Sequence, residues 1–132
     1  MYSSPEFARN VTMAEFVRYV LWEGKHRAVV DHHWQPQYDI CKPCHINYSY
    51  IGYFRTMQDD AKDVLRDIAA APSIEFPSED YDNRGSNSTK HLELFLSVSV
   101  SDLRRLLDFY RNDYKVFGFR VPDIIRRRLG EE

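Results

Sequence analysis

Cys41-Lys42-Pro43-Cys44-His45 puts two thiols and an imidazole into five residues, and His32 and His33 lie just upstream. Three chemistries fit that inventory. C-x-x-C-H is the spacing of a covalent c-type haem site, C-x-x-C alone is that of a thioredoxin-like redox pair, and thiols with imidazoles bind zinc. The redox reading needs a helix N-terminus directly after the strand, to lower a thiol pKa. His45-Ile46-Asn47-Tyr48-Ser49-Tyr50 follows Cys44 instead, a β-branched and aromatic run that makes poor helix. Zinc can be drawn on Cys41, Cys44, His45 and either His32 or His33. Structural zinc sites, however, bring two regularly spaced ligand pairs, and the side chains of neighbours such as Cys44 and His45 diverge in extended chain. Haem needs a second axial ligand, for which Met57 or His91 would serve, and an apolar cage that this polar, tyrosine-rich stretch does not offer. A loop in which Cys41 and Cys44 are structural ranks above all three, and no metal is expected.

The elements that must position this segment are legible on both sides. Thr12-x-x-Glu15 is a capping box, and Met13, Phe16, Val17, Val20 and Leu21 recur at helical spacing until Gly24, where the helix is expected to close. Residues 25–50 hold both cysteines and four of the five histidines with little periodicity. They read as a long ordered loop with a short strand at Ala28–Val30, and such a loop needs a constraint to stay ordered. Tyr50–Phe54 reads as a short buried strand. Thr56 is placed to cap a helix with Ala61, Val64, Leu65 and Ile68 on one face, stopped by Pro72. Residues 72–90 read as a mobile surface loop. Residues 92–100 alternate Leu92, Leu94, Leu96, Val98, Val100, a strand period, or else extended chain lying on the next helix. That helix is capped by Ser99 or Ser101, carries Leu103, Leu106, Leu107 and Tyr110, and leaves near Gly118. Pro122 opens a short basic tail helix.

Composition fits one small folded domain: 132 residues, 43% hydrophobic and 14% aromatic, with a formal net charge of −2 that gives no reason to expect nucleic acid. No apolar run approaches the roughly 20 residues that span a bilayer, and no signal peptide is visible. Against that, three of the five asparagines open N-x-[ST] sequons, at Asn10, Asn47 and Asn87. That excess points toward the secretory pathway, with Asn10 and Asn87 as the expected glycosylation sites. Asn47 is expected to lie in packed structure and to stay unmodified.

Taken together, the wider segment resembles the Golgi carbohydrate sulfotransferases, the chondroitin, dermatan and HNK-1 type family. The resemblance rests on His33-Trp34-Gln35-Pro36, Cys41-Lys42-Pro43-Cys44, Ile51-Gly52 and the acidic helix Asp59–Leu65. It also rests on Glu15-Phe16-Val17 upstream and on Tyr110-Arg111-Asn112-Asp113-Tyr114 through Phe117-Gly118-Phe119 downstream. It covers about residues 12–119. Two positions depart from it: Ser49 stands where members have Asp, and Arg55 where they have an acidic residue.

The resemblance implies an α/β, P-loop-like sulfotransferase fold, of which this chain holds the C-terminal, mainly helical part with a few short strands. Residues 1–11 would be a lead-in and 12–132 a single domain. The donor implied is 3′-phosphoadenosine 5′-phosphosulfate and the acceptor a glycosaminoglycan or glycoprotein glycan, with no metal, at the lumenal side of the Golgi membrane. Sulfuryl transfer needs cationic and N–H donors around the donor's phosphates and a base for the acceptor hydroxyl. The five glycines, at 24, 52, 85, 118 and 130, form no phosphate-cradling cluster. The chain therefore reads as lacking the donor-binding half and the membrane anchor. His33 is the candidate base, with Trp34 and Arg55 as candidate sugar contacts. The alternative has His33 only orienting the loop while Trp34 packs. The corresponding whole-chain alternative is a non-catalytic remnant or interaction module of the same fold, with a haem protein ranked behind it.

Overall fold

The computed structural model describes residues 11–77 and 88–130. These residues hold seven α-helices: α1 Met13–His26, α2 Gln37–Cys41, α3 Met57–Asp67, α4 Ser88–Glu93, α5 Val100–Phe109, α6 Arg111–Phe117 and α7 Asp123–Leu129. Two 3₁₀ turns, Phe54–Thr56 and Leu94–Ser97, complete the regular structure. The chain divides into two compact units, one running up to Lys42 and resuming after Gly85, the other Pro43–Gly85.

In the first unit α1 begins at the expected box. The Thr12 hydroxyl accepts from the Glu15 N–H (3.2 Å), and the Glu15 carboxylate accepts from the Thr12 N–H (2.9 Å). Those two bonds satisfy donors that a helix start leaves open, and they hold the Glu15 carboxyl below its usual range. Gly24 does not close the helix, which runs on to His26. Its lack of a side chain serves another purpose: a methyl there would collide with the Phe109 ring of α5. α5 starts at Ser99, whose hydroxyl accepts from the Asp102 N–H (3.1 Å). α6 ends at Gly118 in the left-handed conformation (φ 66°), as the position of that glycine leads one to expect.

Val17 and Leu21 of α1, Val98, Leu103 of α5, and Ile125 and Leu129 of α7 form the core, with Phe95, Leu106, Leu107 and Phe109 against it. Each such burial contributes about 2 kcal/mol relative to exposure. The tail helix α7 is therefore anchored by Ile125 and Leu129, and its Arg128 reaches the Val98 carbonyl (3.4 Å).

The strands expected at 28–30, 50–54 and 92–100 are not found, and no strand occurs among the described residues. The case of 92–100 is instructive. Leu92 and Phe95 are half-buried and Val98 is fully buried, whereas Leu94 and Leu96 are about half exposed. The inward set has period three, that of the helical and 3₁₀ turns that form, and it lay hidden beneath an alternation of apolar letters. Val29 is 76% exposed and lies in a bend.

In the second unit Tyr53 has extended backbone (φ −113°, ψ 142°). Its N–H bonds the Asp60 carboxylate (2.8 Å) rather than a neighbouring strand. Ile51 and Phe54, expected to be buried there, are 54% and 76% exposed. α3 begins at Thr56, but the Thr56 hydroxyl donates to Asp60 (2.7 Å) and does not cap the helix N–H groups. The helix closes before Pro72, through Ala69 in a left-handed conformation (φ 52°). No residue from Pro43 to Pro77 is buried.

Candidate functional site

Residues 31–36 form a turn built on Asp31. The Asp31 carbonyl accepts from the Trp34 N–H (3.2 Å) and the Gln35 N–H (2.9 Å). Its carboxylate Oδ1 accepts from the His33 N–H (2.9 Å) and from His33 Nδ1 (2.7 Å). Those two donors, the backbone N–H first, hold the Asp31 carboxyl below its usual range. A carboxylate can only accept, so Nδ1 carries the proton. The neutral imidazole then presents Nε2 as a lone pair, on a side chain that is 70% exposed. His32 lies alongside, with ring centroids 4.0 Å apart.

Three residues outside the turn fix it in place, and sequence reasoning gave none of them a part in holding it. Glu23 of α1 is 1% exposed. Its Oε2 accepts from the Trp34 indole N–H (2.7 Å) and the Asp31 N–H (3.2 Å), and its Oε1 meets Arg27 (3.3 Å) and the Tyr19 hydroxyl (3.4 Å). A carboxylate out of water is costly unless its lone pairs are filled, and these four donors fill them. Tyr110 donates its hydroxyl to the Trp34 carbonyl (2.6 Å). Burial first, and then the Asp113 charge, push the Tyr110 hydroxyl up to about 12. Asp113, 6% exposed, accepts from the Gln37 and Tyr38 N–H groups (2.9 and 2.8 Å) and so caps α2 from a distant part of the chain. The signal for Glu23 was a charged residue on the apolar face of α1, two positions after Leu21. For Tyr110 and Asp113 it was the tyrosine–aspartate pair in the downstream motif, whose spacing of three puts both on one side of a helical turn.

Trp34 is half-buried, edge-on to Phe16 (5.5 Å between centroids) and Tyr19 (5.9 Å). The loop expected to need a covalent or ligand constraint is thus held by hydrogen bonds to buried acceptors. His33 and Trp34 come together in the first unit. Arg55 belongs to the second, on the Phe54–Thr56 turn, exposed. Cys41 is the last residue of α2 and half-buried, and Cys44 lies exposed in the following turn. Asn47 is exposed, against the expectation that it is packed, and Asn10 and Asn87 lie outside the described residues. Among the described residues one group of three ligand-bearing side chains converges closely enough to hold an ion, and it is Asp31, His32 and His33 rather than the cysteines with His45. No helix among them is long and apolar enough to cross a membrane.

The class is settled by comparison with known proteins: the model of the sulfotransferase family matches residues 2–120, and the chain belongs to that family. Within it, the relatives it matches include carbohydrate sulfotransferases. It is 34% identical over 123 residues to carbohydrate sulfotransferase 10 of Homo sapiens, covering 89% of this chain and 34% of that protein. It is 31% identical over 118 residues to carbohydrate sulfotransferase 11 of Danio rerio (89% and 33%) and 32% identical over 115 residues to carbohydrate sulfotransferase 14 of that organism (86% and 30%). The chain thus spans about a third of the length of these relatives. No solved structure matches it.

Proposed function

We infer that this chain forms the acceptor side of a carbohydrate sulfotransferase acting in the Golgi lumen, with His33 as the base that takes the proton of a glycan hydroxyl. The observation that carries the reading is the 2.7 Å bond from His33 Nδ1 to Asp31, which leaves Nε2 as an outward-facing acceptor. Asp31 fixes the tautomer and stabilises the imidazolium formed when Nε2 takes the proton. Glu23 and Tyr110 hold the turn so that this geometry exists before a sugar arrives. The exposed part of Trp34 offers a flat apolar face for a sugar ring beside His33. Arg55, in the second unit, is a separate candidate cation for an acidic glycan. Cys41 and Cys44 act structurally in this reading, and Asn10 and Asn87 carry the glycans.

The donor of this family, 3′-phosphoadenosine 5′-phosphosulfate, does not fit the residues present. No glycine-rich turn occurs in the sequence, and no strand feeds a helix among the described residues. No step is therefore assigned to donor-binding groups of this chain. The second reading is a non-catalytic module of the family.

The two readings separate on one assay: sulfate transfer to a panel of chondroitin, dermatan and glucuronyl glycans by the full-length protein and by His33→Gln. The catalytic reading expects kcat to fall by roughly 10²–10⁴-fold with little change in acceptor KM. Equal turnover by the two proteins overturns it. Absence of transfer by the wild-type protein to every acceptor supports the non-catalytic module.

A further inference from the structure

We propose that Asp31, His32 and His33 form a binding site for a zinc-class divalent transition cation, and that occupancy switches off His33 as a proton acceptor. The ligand atoms of the three side chains all lie within 4.8 Å of one another. His33 Nδ1 is 2.7 Å and His32 Nδ1 3.8 Å from the same oxygen, Asp31 Oδ1. Ligands at zinc bond lengths in a tetrahedral array sit about 3.3 Å apart. The two observed separations bracket that value, so small side-chain rotations convert the cluster into a coordination set. Two imidazoles with one carboxylate favour zinc and its neighbours over magnesium or calcium, which prefer an all-oxygen shell. Three protein ligands leave a fourth position for water.

The turn that carries the ligands is already ordered. Asp31 is tied to Glu23 through its N–H and closes the turn through its carbonyl. A cation therefore meets ligands whose backbone freedom is already spent. Side-chain exposure of 78% for His32 and 70% for His33 leaves an open path from solvent.

The consequence for His33 follows from its two nitrogens. At present Nδ1 holds the proton and Nε2 the lone pair. A cation bound at Nδ1 selects the other neutral tautomer, in which the ring's single proton has moved from Nδ1 to Nε2. Loaded His33 has no lone pair left for a hydroxyl proton. Asp31 Oδ1, drawn to the metal, no longer orients the ring. This switching step rests on the catalytic reading of His33, whereas the binding itself does not.

The test is calorimetric titration of the chain with zinc chloride, alongside absorption of the cobalt(II) form. The expected result is one saturable site per chain that persists when Cys41 and Cys44 are both changed to Ser. It is lost in His32→Ala and, as a second variant of similar size, His32→Gln. The cobalt form shows ligand-field bands without thiolate charge transfer. Lack of saturable binding overturns the proposal. So does binding that vanishes with the cysteines and survives both His32 variants. In the transfer assay, zinc lowers the wild-type rate relative to its own zinc-free rate, and His32→Gln loses that sensitivity. If zinc binds as described while His33→Gln leaves transfer unchanged, the metal site stands and the catalytic reading falls. If zinc does not bind while His33→Gln abolishes transfer, the reverse holds.

Discussion

Residues 27–36 of the first unit and residues 43–53 of the second are both irregular, and both are pinned by carboxylates that accept backbone N–H bonds. In the first unit Glu23 does this for Asp31, and Asp113 does the same for the start of α2 that follows, both while almost fully removed from water. In the second, Asp60 takes the Tyr53 N–H (2.8 Å) and Asp67 the Tyr50 hydroxyl (3.1 Å), in a unit with no buried residue among those described. The bond lengths are alike and the surroundings are not. In water a broken hydrogen bond is exchanged for one to solvent at little net cost. Inside the first unit the donor left behind has no replacement. Order in the first loop is therefore tied to the whole fold, and order in the second is a local matter.

The largest effect should come from the cores. Leu103, 1% exposed, changed to Ala should lower unfolding stability by about 4 kcal/mol, while the half-buried Leu65 changed to Ala should lower it by about 1 kcal/mol. Urea denaturation read by circular dichroism measures both, and equal losses would erase the distinction between the units. Next, Glu23→Ala should lower stability by about 3 kcal/mol, because the Trp34 indole N–H and the Asp31 N–H are left without an acceptor. Asp60→Ala should shift the urea midpoint far less.

Gly24→Ala should lower stability by about 2 kcal/mol through collision with Phe109, although alanine is the better helix former. A rise in melting temperature would show that the helices α1 and α5 do not approach so closely. Tyr110→Phe should have the smallest effect, about 1 kcal/mol from the lost bond to the Trp34 carbonyl. Its signature is in alkali. The folded Tyr110 pKa, about 12, lies above the usual tyrosine value of about 10, so its stabilising contribution is full below pH 10 and is lost as pH rises toward 12. Wild-type melting temperature should fall over that range more steeply than that of Tyr110→Phe, as thermal scans at stepped pH would show.

The helices were readable where local chemistry fixes them. The Thr12–Glu15 box, the Ser99 cap and the Gly118 and Pro122 boundaries fell as their side chains dictate. The strands were misread for a reason of the same kind. An apolar letter at every second position is compatible with inward residues at every third, and only burial separates the two. Within the site, the family motifs located His33 and Trp34 but not what holds them. Tyr110 and Asp113 lie 76 residues in sequence from their partners Trp34 and Gln37. A glutamate on an apolar helix face reads as a surface residue until its four donors are seen.

The amino-acid order alone determined the Thr12 and Ser99 helix starts, the Gly118 stop and the family, because each depends on neighbours within a few residues or on a motif. Only the tertiary structure decided that Glu23, Tyr110 and Asp113 close over the Asp31 turn, and that Asp31 rather than a cysteine partners the histidines. Hydrogen bonds to buried acceptors have no sequence period. They exist only once packing has brought distant segments together around the acceptor.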